Sequence, residues 1–243
     1  MDEAGFLRVL ARLDGPCMIE RSVKISGDQV SDGRLLVSAP RRALLPGAKR
    51  SFQTICSELG ATDVDALVPY LGMATDVHFG FEPGQQPVCK AYLEFGEHSP
   101  IGGVRFMALK WRGTDCRTNL YFDRSALPAE ARFALVNAVI PEEPIREVFA
   151  ATMRQAMSAG PLHDIKLLLV EEEGSLRRSL DLNLADFGWR MRDLADAFGD
   201  LRGLSDERRI GHIAAGTGRG GEAFYTLYHD ARPVVFSTGN RSL

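Results

Sequence analysis

Polar and apolar residues alternate with a period of two in ten segments, and the segments come in pairs, the pattern of antiparallel strands buried on one face. The first pair covers 17–25 and 33–39, joined around Gly27 and Asp28. "TDVHFGFE" (75–82) and "PVCKAYLEF" (87–95) follow, separated by "PGQQ", and then "GVRFMALKW" (103–111) and "CRTNLYFD" (116–123), split by "RGTD". A fourth pair is "DIKLLLVEEE" (164–173) and "LRRSLDLNLAD" (176–186), and a fifth is "IGHIAAG" (210–216) and "EAFYTLYHD" (222–230). Helical spacing fills most of the gaps. It predicts an amphipathic N-terminal helix and a helix over 41–59 carrying Leu44, Phe52, Ile55, Cys56 and Leu59. A helix over 62–71 would be capped by Thr62, one at 128–140 would start on Pro128, and one at 142–160 would end on Gly160. The last, 186–204, would place Trp189, Leu194 and Phe198 on one face.

Five hairpins interleaved with helices fit either an open ten-stranded sheet with two exposed edges or a closed barrel with helices outside. The alternation favours the barrel, because the face opposite the apolar one is richly polar. The expectation is an α+β fold: one domain over 1–243, a ten-stranded antiparallel barrel with its site in the lumen. Val77, Phe79, Phe81, Ala91, Leu93, Phe95, Thr118, Leu120, Phe122, Leu180, Leu182 and Leu184 would face the helices. Asp76, His78, Lys90, Tyr92, Glu94, Arg117, Asn119, Tyr121, Ser179, Asp181 and Asn183 would face inward.

Composition removes several classes of function. The chain has 243 residues, 45% of them hydrophobic and 25% charged, with a net charge of −3, so no basic field points to nucleic acid or to a membrane surface. No apolar run approaches the roughly 18 residues of a membrane helix, and the N-terminal segment does not read as a signal peptide, so a cytoplasmic protein is expected. Cys17, Cys56, Cys89 and Cys116 show neither a CxxC pair nor a histidine at ligand spacing, so neither a zinc site nor a disulfide framework is expected.

The inward set carries the candidate chemistry. Arg34, Lys90, Arg117 and Lys166, with Lys24 as a further candidate, would suit a polyanion such as a diphosphate. Tyr92, Tyr121 and Tyr228 could shield a carbocation through their ring faces. Glu20, Asp76, Glu94 or Asp181 could orient an acceptor and take its proton. Together these groups would ionise an allylic diphosphate and pass its carbon chain to a nucleophile. The competing account is a sheet whose charged face is merely solvated; the recurrence of Tyr with Lys on one face weighs against it.

Ten strands in αββα-like units resemble the ABBA prenyltransferases, and the first strand is similar to that of the cyanobactin-type peptide prenyltransferases. Their G-x-C-x-x-E-x-S-x-K-I pattern is matched by Gly15, Cys17, Glu20, Ser22, Lys24 and Ile25, with Arg34 on the next strand. "KAYLEF", "RTNLYF" and "AFYTLYHD" resemble later strands of the family through Lys90, Tyr121 and Tyr228. The resemblance implies that Glu20 is the active-site base and contacts the acceptor. It implies Arg34, Lys90, Arg117 and Lys166 as diphosphate ligands, Tyr92, Tyr121 and Tyr228 as the allyl shield, and Leu168 as the residue limiting donor length, with a dimethylallyl donor favoured. Asp76, His78 and Asp181 join Glu20 as acceptor-binding candidates. The chain departs from the family in the short "GEHSPIGG" (96–103) between the second and third hairpins, which would leave that side open to a larger peptide. It has no DDxxD cluster, so no protein-held metal is expected and Mg2+, where used, would ride on the diphosphate.

The number of inward carboxylates favours an arginine guanidine of a ribosomal, possibly cyclic, peptide over Trp or Tyr as acceptor, because a guanidinium needs more than one carboxylate to steer it. Two other functions remain open at this point: a small-molecule aromatic prenyltransferase, and a barrel that binds a peptide or anion without catalysis. The sequence carries no signal for an oligomeric state. "AAGTGRGGEA" (214–223) lacks the helix that a phosphate loop needs after it and reads as a hairpin turn. His212 reads as structural, as do Trp111 and Trp189.

Overall fold

The structure, a computed structural model, describes residues 1–44, 47–194 and 207–236. Ten strands form a closed antiparallel barrel with each hydrogen-bonded to its sequence neighbour and the last to the first. They are β1 (Pro16–Ser26), β2 (Gln29–Pro40), β3 (Ala74–Glu82), β4 (Val88–Phe95), β5 (Val104–Arg112), β6 (Asp115–Asp123), β7 (Leu167–Glu172), β8 (Arg178–Asn183), β9 (Ile210–Thr217) and β10 (Ala223–Val235). Closure gives each of these ten strands a neighbour on both sides, which is how a sheet of alternating polarity with this many strands avoids pairing with other chains.

By contacts the chain groups into two compact units, one made of Met1–Glu20, Gly33–Leu120 and the residues from Arg232, the other of Arg21–Asp32 and Tyr121–Ala231. In the first, α1 (Glu3–Leu10) and α2 (Ala48–Glu58) cover the apolar face of β3 and β4. Asp2 caps α1 by accepting from the Gly5 N–H at 2.8 Å, which satisfies one of the orphan donors of the first turn. Phe6 stacks on Phe81 at 5.2 Å and Phe52 leans on Phe79 at 5.9 Å, all four fully buried, so these rings fix which face of β3 points outward. In the second unit, α3 (Ala129–Val139) and α4 (Glu143–Ala159) pack Val136, Phe149 and Met153 against Leu167, Leu180, Leu182 and Ile213. Arg132 of α3, with no exposed surface, spends its guanidinium on the carbonyls of Ser125, Leu127, Leu162 and Ile165 and ties the loops on either side of the helix pair together.

Several helical expectations are corrected. The segment 41–59 is broken at Gly47, whose φ of 84° lies in the left-handed region; a 3₁₀ turn, Arg41–Leu44, precedes it and α2 follows. Over 62–71 there is only the 3₁₀ stretch Val68–Met73, because Pro69 removes a donor where a longer helix would need one. Thr62 caps nothing there; the side chain of Asp63 instead accepts from the Asp65 N–H. From 186 onward the chain makes 3₁₀ turns at Ala185–Phe187 and Met191–Leu194, separated by Gly188 at φ 64°, and the rest of the expected helix, Phe198 included, lies outside the described residues. The hairpin at "TGRGG" is as expected, closed by Gly218 N–H to Glu222 O at 2.7 Å. No helix among the described residues is long and apolar enough to cross a membrane.

Candidate active site

With Val77, Phe79 and Phe81 buried beneath the helices, period-two alternation turns Asp76, His78, Gly80 and Glu82 of β3 to the barrel interior. The register stacks their neighbours into tiers. One tier is Leu36, Gly80, Lys90 and Lys110; the next is Ser38, His78, Tyr92 and Ala108; a third is Pro40, Asp76, Glu94 and Phe106. Adjacent tiers lie about 6.6 Å apart, two strand residues.

Beside the first tier, Glu82 accepts from Arg34 at 2.6 Å and from the Lys90 ammonium, and all three side chains are largely buried. Burial opposes ionisation of Glu82, but the charges of Lys90, Arg34 and Lys110 overcome it and hold its carboxyl well below the usual range. Burial pushes the Lys90 ammonium down to about 7; the Glu82 carboxylate resists, and the charges of Arg34 and Lys110 add to the fall. Three cations thus surround one carboxylate, an arrangement that can hold a second, larger anion. Gly80 makes room for it: a Cβ there would stand 3.3 Å from Lys90 Cβ and 3.4 Å from its Cδ.

In the tiers beyond, His78 Nδ1 lies 2.7 Å from Ser38 Oγ and Nε2 lies 3.1 Å from Glu94 Oε2. Arg105 donates to Glu94 Oε1 at 2.8 Å. Burial raises the Glu94 carboxyl, but the hydrogen bond and charge of His78, with Arg105, outweigh it and hold the group below its ordinary value. Tyr92 meets the His78 ring edge-on at 6.2 Å, and Phe106 lies 5.6 Å from it on another side. Asp76, half-buried, is the register partner of Glu94. Arg117 is half-exposed near the start of β6 and pairs with Asp115 at 3.0 Å. Two residues on, Asn119 is 4% exposed and its Nδ2 has no hydrogen-bond partner among the described residues.

In the second unit both oxygens of Asp181 lie 2.8–2.9 Å from His212 Nδ1, and the His212 ring stacks on Tyr228 at 3.7 Å and 13°. Leu168, half-buried, faces Asp181 across β7 and β8. Lys24 lies over the Phe224 ring at 4.4 Å. Glu20 and Ser22 share its face of β1 by alternation, Glu20 half-buried and Ser22 buried. Glu172 is buried, with Arg219 at 2.6 Å and Arg177 at 3.3 Å. Lys166 sits before β7, 63% exposed, with Asp186 at 3.7 Å. Tyr121 is half-buried on β6.

The structure therefore joins Arg34 to Lys90 through Glu82 and His78 to Glu94, and adds groups that the sequence had not singled out: Glu82, Lys110 and Ser38. Each stands on the inward parity of its strand, so alternation alone could have found them. Among the described residues no three carboxylate, histidine or cysteine side chains converge as metal ligands. The anion site offers one carboxylate already held between cations, a set that does not fit a protein-bound Mg2+.

Neither a protein-family model nor a curated protein matches the chain. Solved structures do. The 5-dimethylallyltryptophan synthase from Streptomyces coelicolor superposes with a TM-score of 0.59 at 16% identity, over 87% of this chain and 80% of that one. The chain shares its fold. The same enzyme in complex with DMASPP and Trp gives 0.60 at 15%, over 93% and 81%, and AnaPT from Neosartorya fischeri gives 0.51 at 13%, over 91% and 79%.

Proposed function

We propose that the protein is a prenyltransferase that moves an isoprenyl group, dimethylallyl by preference, from its diphosphate to the side chain of a peptide. The observation that carries this reading is the Arg34–Glu82–Lys90 cluster set one tier from Tyr92 and His78 inside a closed barrel. A diphosphate bound by Arg34, Lys90 and Lys110 would gather the charge that develops as the C1–O bond breaks, and the Asn119 amide would gain an acceptor. Its allyl group would then lie in the tier of Tyr92, whose ring face tolerates a cation. Arg117, Lys166, Tyr121, Tyr228 and Leu168 keep the parts assigned to them by resemblance: outer diphosphate contacts, shield and donor length. Glu20, with Asp76 and Asp181, orients the acceptor, and Glu20 polarises the N–H that reacts. Magnesium enters only with the donor, and no step depends on a protein-held ion.

Arginine is the favoured acceptor, supported by the carboxylates and by Glu94, which already receives a guanidinium from Arg105. A second reading, an aromatic small-molecule acceptor, is favoured by the tryptophan bound with DMASPP in the similar synthase. Incubating the protein with dimethylallyl diphosphate and Arg-, Trp- and Tyr-containing peptides, or free tryptophan, decides between them by mass. The expected result is an added C5 unit on the arginine peptides. Modification of aromatic substrates alone removes the arginine assignment, and no product with any acceptor removes prenyl transfer. Glu20→Gln should abolish turnover while leaving donor affinity within about twofold, since a mute carboxamide still fills the site.

A further inference from the structure

Ser38, His78 and Glu94 come from three adjacent strands and lie in one unbroken line of hydrogen bonds, 2.7 Å from Ser38 Oγ to His78 Nδ1 and 3.1 Å from Nε2 to Glu94 Oε2. Arg105, at 2.8 Å on the other oxygen, keeps Glu94 from turning away. The carboxylate fixes the tautomer of the neutral ring, with the proton on Nε2 and Nδ1 accepting from the serine hydroxyl. A hydrolytic role is not supported, because Ser38 sits within β2, where the neighbouring backbone N–H groups belong to the sheet and none is available to form an oxyanion hole. The position points elsewhere: Ser38 and His78 occupy the tier next to Lys90, where the transferred carbon would arrive.

We propose that Ser38–His78–Glu94 is a proton relay on the acceptor side of the site, separate from Glu20. It rests on the prenyl-transfer reading above. The C1–O bond of the donor breaks and its electron pair leaves on the diphosphate. The acceptor nitrogen forms the bond to C1. Its proton passes to Ser38 Oγ while the serine hydroxyl proton passes to His78 Nδ1. Serine ends neutral, and the imidazolium is held against the Glu94 carboxylate until water takes the proton. Ser38 touches the acceptor; His78 and Glu94 act through it.

The test compares wild type with His78→Ala, His78→Gln and Glu94→Gln on an acceptor that the wild type prenylates, with binding of dimethylallyl thiolodiphosphate measured in parallel. Turnover should fall about 10²- to 10⁴-fold in the histidine variants, with analogue affinity unchanged within about threefold. Added imidazole should restore part of the activity of His78→Ala and none of that of His78→Gln, which a purely structural role would not produce. Glu94→Gln retains the ring contact but cannot hold an imidazolium, and should also lose turnover. Variants that bind the analogue and turn over within a few-fold of wild type overturn the relay, as does loss of activity with no imidazole rescue. Should His78→Ala fail to bind the analogue, Glu94→Gln decides alone, and wild-type-like turnover in it overturns the relay. A wild type that prenylates no acceptor overturns the prenyl-transfer reading and the relay with it.

Discussion

Two residues show how burial shapes this molecule. The guanidinium of Arg132 is absorbed by four backbone carbonyls rather than by a hydrogen-bonded carboxylate among the described residues. Arg132→Ala would strand these acceptors, and urea unfolding should show a loss of at least about 3 kcal/mol. Lys90 behaves oppositely, because its buried charge is only partly compensated. With its ammonium pushed down to about 7, the free protein loses that proton as pH rises through neutrality, while a bound diphosphate favours the charged form. Affinity for dimethylallyl thiolodiphosphate should therefore weaken above pH 7, by up to about tenfold per pH unit, and calorimetry in two buffers should detect proton uptake on binding. Neither behaviour was legible in the sequence. The carbonyls that hold Arg132 come from loops on both sides of a helix pair, and the depression of Lys90 depends on Glu82 and Arg34, which reach it only through the register of three strands.

At the level of elements, the alternation of β2, β3 and β4 carried most of the inward set, because period two leaves no choice of face once Phe79 and Phe81 are buried. The helical segments were less legible. Gly47 and Pro69 overrode the apolar spacing on either side of them, a local backbone limit that periodicity does not register. Glycines inside strands are equally telling. Gly216 sits where a Cβ would stand 2.2 Å from the Arg178 carbonyl oxygen, so Gly216→Ala should force β8 and β9 apart and cost several kcal/mol in stability. Gly80→Ala instead presses on the stem of Lys90 and should weaken donor-analogue binding, with little change in the urea midpoint. If both substitutions reduce only stability, Gly80 has no part in the anion site.

At the scale of the whole molecule, the titrating groups set a joint pH profile. Glu82, Glu94 and Glu172 have folded values below the ordinary 4.5, so the stability they contribute is present above that pH and is lost as pH falls through their folded values. Lys90 is depressed from 10.5 to about 7, so the cost of its buried charge is felt in full below 7 and is relieved as pH rises toward 10.5. Urea midpoints should thus drop steeply below about pH 4.5 and be higher at pH 9 than at pH 6; Lys90→Met should flatten the alkaline limb. The barrel itself was expected from hairpins and polarity, whereas the division of its contacts into two units was not, since it cuts within β1, β2, β6 and β10. Ring closure has a further consequence, for the order of events during synthesis. The hydroxyl of Ser26 bonds the Ala223 carbonyl at 2.9 Å across 197 residues, and β1 has β10 as its neighbour on one side. A chain emerging from the ribosome must keep β1 waiting, with one edge bare, until the final strand arrives, so folding should be slow and chaperone-dependent, and a chain stopped before Ala223 should aggregate.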